Sequence, residues 1–434
     1  MSSTRNVAAP PRRSLFRHRD FRLLWMGDTV SVFGMQFIGL AVPLLAVQLL
    51  HADEFEMGLL AMLESLAFLL ISLPAGAWVD RWRKKRVIVA GDLLRAALLL
   101  TIPAAWLLGA LTMTQLFLVV FAVGCITVFF DVAHQSYLPQ LVEPEQIGDG
   151  NGKLQASQQT AMVAGPAAAG ALVRLVGSPL TVAVTAACMA LSSLFVSRIR
   201  HQEETPDPAA RRPMRLEVKE GMAFVLGHPL LRRIVACTGL TNLASAAVMA
   251  LFVLYAVRVL GLAETTLGLV MSAAAVGGLL GAVSANRFSR LVGEGRAIPV
   301  AALLGGVAVL SVPAAATLPA VPTLLVGQFV LSWSVVVYNI AQVSFRQRLC
   351  PRPLLGRMNA SIRFLVWGPM PVGAFLGGLL GRELGVVPTL WIFAALSVVA
   401  ALPVLASPLI SMRQLPRELD ELTGQRPAAP PDLH

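Results

Sequence analysis

Four acids, Asp28, Glu64, Asp92 and Asp131, interrupt stretches of the chain that are otherwise mostly aliphatic. A carboxyl far from water is expensive unless it carries a proton or meets a cation, and both states are useful chemistry. Asp92 and Arg95 stand at i, i+3, so the pair is expected to neutralise itself on one helix face. Asp131 has His134 and Gln135 one turn on and is expected to be a brace beside them. Glu64 lies deepest, seven residues or roughly 10 Å inside the nearer end of its run. It is the candidate proton carrier, with Asp28 in reserve.

A second chemistry is electrostatic locking. The stretch GAWVDRWRKKR, Gly76 to Arg86, puts five positive charges into the six positions from Arg81 to Arg86, next to Asp80. Asp80 could pair with that cluster or with the positive end of an abutting helix, a contact that must break when the site opens. Gly76 would let neighbouring helices approach closely. A softer set, Gln36, Gln155, Gln159, Asn242, Asn339, Gln342, Arg346, Asn359 and Arg363, is uncharged apart from its arginines. Each alone suits an interhelical hydrogen bond. With Phe33, Trp367 and Met370, the set would suit an amphipathic substrate cavity.

Other chemistries find no foothold. No Gly-x-x-x-x-Gly-Lys-Ser/Thr loop, His-x-x-x-His pair or Gly-x-Ser-x-Gly elbow occurs. Cys125, Cys188, Cys237 and Cys350 are far apart and lie in or beside apolar runs, as packing residues would. The expectation is no enzyme, no catalytic residues, no metal and no cofactor, with an ion gradient as the energy source.

The elements holding these residues are membrane spans. The chain has 434 residues, 56% of them apolar and 14% charged, and a mean hydropathy of +0.71. A soluble core could not hide that much apolar surface. Hydropathy predicts an all-α membrane protein with twelve helices, at 22–50, 57–79, 87–108, 113–137, 155–176, 179–199, 231–259, 265–286, 297–316, 320–346, 357–381 and 388–411. With both termini cytoplasmic, 30 of the 35 Lys and Arg fall inside and three outside, namely Arg174, Arg258 and Arg382. The net charge of +11 therefore reports topology and implies no nucleic-acid partner. The first apolar run is too long for a cleaved signal and is expected to stay as an anchor.

The chain is also written twice. At an offset of 210, His18, Arg22 and Gly58 meet His228, Arg232 and Gly268; at 208, Asn151, Gly165, Gly170, Arg174 and Gly177 meet Asn359, Gly373, Gly378, Arg382 and Gly385. The expected organisation is a six-helix bundle over 1–200, a linker over 201–227, a second bundle over 228–411 and a tail over 412–434. The linker should carry a short amphipathic helix, with Val218, Met222, Val225 and Leu226 on its apolar face. Duplicated six-helix halves joined by a cytoplasmic linker are the plan of carriers that rock around a midplane site.

With these features the chain resembles the major facilitator superfamily. Gly76, Asp80, Arg81, Lys84 and Lys85 match that family's loop motif between helices 2 and 3, while Trp78 and Arg83 replace its Leu and second Gly. The resemblance implies a gating role for those five residues. The second copy, GAVSANRFSR, has Asn286 and Arg287 where the first has Asp80 and Arg81. AMVAGPAAAG, Ala161 to Gly170, resembles the family's antiporter motif, with Ala161 and Ala169 in place of two glycines, and adds Gly165 and Pro166 to the gating set. HRDFRLLW, LPQLVEPEQ, EGMAFVLGHPLLRR and PLLGRMNASIR look most like a branch of bacterial macrolide and enterobactin exporters. The resemblance implies a monomeric, proton-coupled efflux carrier for a lipophilic small molecule in the bacterial inner membrane. A lipid flippase or an uptake carrier on the same fold, and a non-transporting receptor or assembly subunit, are the competing readings.

Overall fold

The computed structural model describes residues 15–79, 82–143, 146–201, 203, 222–349 and 355–413. Its long helices are α1 (Arg19–Gln48), α2 (Glu54–Val79), α3 (Lys84–Leu107), α4 (Met113–Leu141), α5 (Ile147–Val176) and α6 (Ser178–Ser197). The second set is α7 (Pro229–Val259), α8 (Glu264–Val292), α9 (Glu294–Ala314), α10 (Ala320–Leu349), α11 (Leu355–Trp367 with Pro369–Leu384) and α12 (Val386–Leu405). Among the described residues, eleven of these are long and apolar enough to cross a bilayer; α2, with 26 residues, runs beside them as the twelfth. The chain is a multi-pass membrane protein.

The repeated residues mark where local chemistry starts and stops helices. His18 and His228 are N-caps whose Nδ1 atoms accept from the backbone N–H groups of Phe21 and Leu231, at 3.2 and 3.4 Å. Gly177 and Gly385, at φ of 85° and 87°, turn α5 directly into α6 and α11 directly into α12. A side chain there would oppose the positive φ.

Four helices differ from the sequence expectation, among them α12, which ends at Leu405 rather than 411. α5 begins at Ile147 rather than 155, because its first two turns are polar and held by an Asp149–Lys153 pair instead of by apolar burial. α8 continues past 286 to Val292 and stops only at Gly293, at φ 106°. α11 is interrupted at Gly368, where Pro369 and Pro371 follow. Residues 222–227 of the linker are helical. Val218, the earlier linker residues from 204 and the tail from 414 lie outside the described residues.

Each half packs by the same scheme. α1 lies on α5 and α6, α3 on α4 and α6, and α2 on α4; the equivalents are α7 on α11 and α12, α9 on α10 and α12, and α8 on α10. The halves meet through two related crossings, α2 with α11 and α5 with α8. At the end away from the basic Arg83–Arg86 loop, one buried core joins both halves, with Leu40, Leu44, Leu45 and Met57 against Ala247, Leu251, Phe252 and Tyr255. At the basic-loop end the cores are separate: Phe21, Leu24, Ile88 and Tyr137 in one half, and Leu230, Leu231, Ile298 and Phe345 in the other. The molecule is therefore closed at one end and parted at the other.

Candidate functional site

The acids fall into two environments. Asp92 and Arg95 pair at 2.5 Å, almost wholly buried. Arg95 also donates to Thr127 Oγ1 at 3.3 Å and lies 4.1 Å from the Phe130 ring centroid. His134 stacks on the other side of this group, against Phe130, and its Nε2 is 3.1 Å from Asp28 Oδ1. That contact is electrostatic rather than an aligned hydrogen bond. The expectation that His134 would brace Asp131 is thus corrected: the rotation of α4 turns its imidazole toward α1. Asp131 remains within electrostatic reach of Arg95, His134, Arg363 and Asp28.

Glu64 stands apart from this group. It lines a cavity of about 570 Å³ between the halves, walled by Met35, Leu60, Phe68, Met249, Phe252 and Met370, and it is the one ionisable group among the lining residues. No ion pair or side-chain hydrogen bond joins its carboxyl to another described residue. A second cavity of about 740 Å³ lies inside the C-terminal half, lined by Asn242, Tyr338, Asn339, Gln342, Arg346 and Arg363 among others. The two cavities share Ser245 and Trp367.

The polar candidates divide accordingly. Asn242 donates to the carbonyl of Val366 at 2.7 Å, tying α7 to α11 just before its interruption. Gln342 donates to Asn339 Oδ1 at 3.2 Å. Arg363 sits 4.9 Å from the ring centroids of both Phe68 and Trp367, so one guanidinium touches aromatics from each half. Phe33, Gln36 and Gln159 are not among the lining residues of these two cavities. Gln36 instead packs on Gly165, where an added Cβ would lie 2.5 Å from its own Cβ, so this approach fixes α1 against α5.

At the basic loop, Gly76 lies in the last turns of α2, while Asp80 and Arg81 lie outside the described residues. Lys84 is buried, its Nζ donating to the carbonyls of Val79 and Trp82 at 3.1 and 3.3 Å. Lys85 Nζ donates to the carbonyl of Ile199 at 2.6 Å. The residue that sequence reasoning missed is Glu203. Its two carboxylate oxygens accept from the backbone N–H groups of Lys84 and Lys85, at 2.5 and 2.6 Å, on the first turn of α3. Asp20 holds the same strand of chain through the N–H groups of Arg200 and His201, at 3.3 and 3.1 Å. Nothing local in the sequence marks Glu203, which lies 119 residues from Lys84.

The closed end is held by small residues and polar latches. A Cβ on Gly58 would lie 2.5 Å from Gly378 Cα, and one on Gly170 would lie 2.5 Å from the carbonyl oxygen of Glu264. Gly268 in turn abuts the carbonyl of Pro166. The repeat of glycines is thus two related helix crossings. Gln48 donates to Glu264 Oε1 at 2.7 Å, and Arg258, on a π-helical turn ending α7, donates to the carbonyl of Val47 at 3.3 Å.

A sequence profile described as Major Facilitator Superfamily matches residues 24–367. The chain belongs to that superfamily. Superfamily relatives include the multidrug efflux pump Tap of Mycolicibacterium fortuitum, 28% identical over 370 residues, spanning 82% of this chain and 87% of Tap. The enterobactin exporter EntS of Salmonella choleraesuis is 22% identical over 370 residues, spanning 83% and 86%. The crystal structure of a bacterial homologue of the iron transporter ferroportin, in an inward-facing state, shares the fold with a TM-score of 0.73. It is 16% identical and covers 91% of this chain and 99% of its own. This major facilitator chain is a transporter, not an enzyme.

Proposed function

We propose that this chain is a secondary active exporter that carries a lipophilic small molecule, such as an antibiotic or a secreted metabolite, out of the cell in exchange for protons. The carrying observation is the cavity between the halves: apolar, parted toward the basic loop, sealed at the far end, with the single unpaired acid Glu64 in its wall. A carboxyl placed there can take a proton when the site faces one side and release it on the other, and an apolar wall accepts a lipophilic body. On this reading the basic loop faces the cytoplasm by charge bias, with both termini inside and the protein in the inner membrane, and the carrier works as a monomer. The resemblance to Tap and EntS, an efflux pump and an exporter by name, supports the outward direction.

Gly76, Asp80, Arg81, Lys84 and Lys85 act as the cytoplasmic gate, with Glu203 as the brace that holds α3 to the linker. Gly165 and Pro166 belong to the outer gate, through Gln36 and Gly268. Asp28, paired to His134, is the second proton site and the candidate for release. Phe33, Gln36, Gln159, Asn242, Asn339, Gln342, Arg363 and Trp367 would contribute to the substrate path as the halves rock.

The test is efflux from proteoliposomes under an imposed pH gradient. Wild type should concentrate a lipophilic substrate against its gradient, and Glu64→Gln should only equilibrate it. Proton-driven accumulation by Glu64→Gln would move the coupling role to Asp28, with Asp28→Asn as the next variant.

A further inference from the structure

The acids in the interior of the spans are confined to one half. Asp28, Glu64, Asp92 and Asp131 all belong to the N-terminal half, where Asp92 is already neutralised by Arg95. The spans of the C-terminal half carry acids only near their ends, at Glu264, Glu294 and Glu383. The cations that line the 740 Å³ cavity are Arg346, at the end of the α10 span, and Arg363 within α11, and the lining contains no Asp or Glu. Arg346 makes no ion pair or hydrogen bond with a described residue, and its buried Nε has no partner. Arg363 has aromatic rings rather than a carboxylate against it; Asp131, across the interface, is within electrostatic reach without being paired.

The same cavity holds further unspent hydrogen-bonding capacity. Gln342 is 3% exposed, its Nε2 is committed to Asn339, and its Oε1 has no partner. Ser334 is fully buried with an unpartnered Oγ. Arg363 is exposed to the cavity and Arg346 half-buried at its edge, so both guanidiniums are open to a ligand that supplies the missing charge. Two guanidiniums with the Ser334 hydroxyl and the Asn339 amide N–H as donors match a carboxylate, sulfonate or phosphate, while Gln342 Oε1 is left as an acceptor for a donor on the same molecule.

We infer that the C-terminal cavity is the site for an acidic group of the transported molecule, held by Arg346 and Arg363 with Asn339 and Ser334 beside them. Ser245 and Trp367 border both cavities, so a molecule with its anionic head here can lay its apolar body in the cavity between the halves. The cargo class is an amphipathic organic anion. Because the anion is cargo, this assignment rests on the exporter reading.

The test uses the full-length protein in lipid nanodiscs and two xanthene dyes of similar size, anionic carboxyfluorescein and cationic rhodamine 123, followed by fluorescence anisotropy. Wild type should bind carboxyfluorescein at least about tenfold more tightly than rhodamine 123, less so at high salt. Arg346→Gln and Arg363→Gln should each weaken carboxyfluorescein binding about tenfold and leave rhodamine 123 unchanged, while Arg346→Lys should retain most of the anion affinity. Equal affinity of wild type for the two dyes overturns the assignment even if no variant folds. Equal loss of both dyes in the glutamine variants also overturns it, giving the arginines to the conformational change. Proton-driven movement of carboxyfluorescein into inverted vesicles then separates the readings. Binding without movement keeps the site and sinks the exporter; movement of rhodamine 123 with no anion binding does the reverse.

Discussion

At the scale of single residues, burial decides which charges are structural. Asp92 and Arg95 are both sealed, so Arg95→Met leaves an uncompensated carboxylate and should cost about 3–5 kcal/mol. The double variant Asp92→Leu with Arg95→Met removes both charges and should unfold in detergent near the wild-type midpoint. His228 is a different case, lying just outside α7, where burial pushes its imidazole below the ordinary histidine value and keeps the cap on Leu231 available. The unfolded chain takes up a proton as pH falls below about 6.5 while the folded ring resists it. Stability should therefore be level above that pH and decline below it. His228→Asn keeps a cap without titrating, and melting curves of that variant should lose this part of the acid sensitivity.

At the scale of elements, the helix crossings at the closed end depend on backbone contact. Gly58 meets Gly378 on α11 so closely that a side chain has no room. Gly58→Val should wedge α2 from α11 and shift the protein away from the state closed at that end. Spin labels at His51 and Leu262, on opposite halves, should then report a distance longer by several ångströms, at about one helix-side-chain diameter. An unchanged distance would mean that the crossing is not a gate. At the other end, Glu203→Gln replaces a charged cap on the first turn of α3 with a neutral one, worth about 1 kcal/mol. Faster protease cleavage of the 201–221 linker in that variant is the expected readout.

At the scale of the whole molecule, the separate cores at the basic-loop end and the shared core at the other predict sidedness. A tag beside Thr205 or Gln425 should be shielded in intact cells, and one at His51, an exposed turn residue at the closed end, should be reachable. A reachable tag at Thr205 would invert the direction of the pathway. The arrangement of interior acids in one half and, among the described residues, cavity arginines without a carboxylate contact in the other is a property of the assembled pair. Neither half alone encloses an amphipathic anion at both its head and its body.

By itself the sequence determined what is written in one dimension. Apolar length set the spans, charge bias set their expected sidedness, and repeated His18/His228 and Gly177/Gly385 set helix starts and turns, because caps and positive φ are local backbone matters. The i, i+3 pairing of Asp92 with Arg95 was legible for the same reason. Only the tertiary structure decided that His134 meets Asp28 rather than Asp131, that Gln36 seats on Gly165, that Glu203 caps α3, and which end is closed. Those contacts depend on how each helix is rotated about its axis. In a bilayer, lipid tails and neighbouring helices are equally apolar, so hydrophobic patterning fixes a helix's depth but leaves its facing to side-chain packing between distant segments.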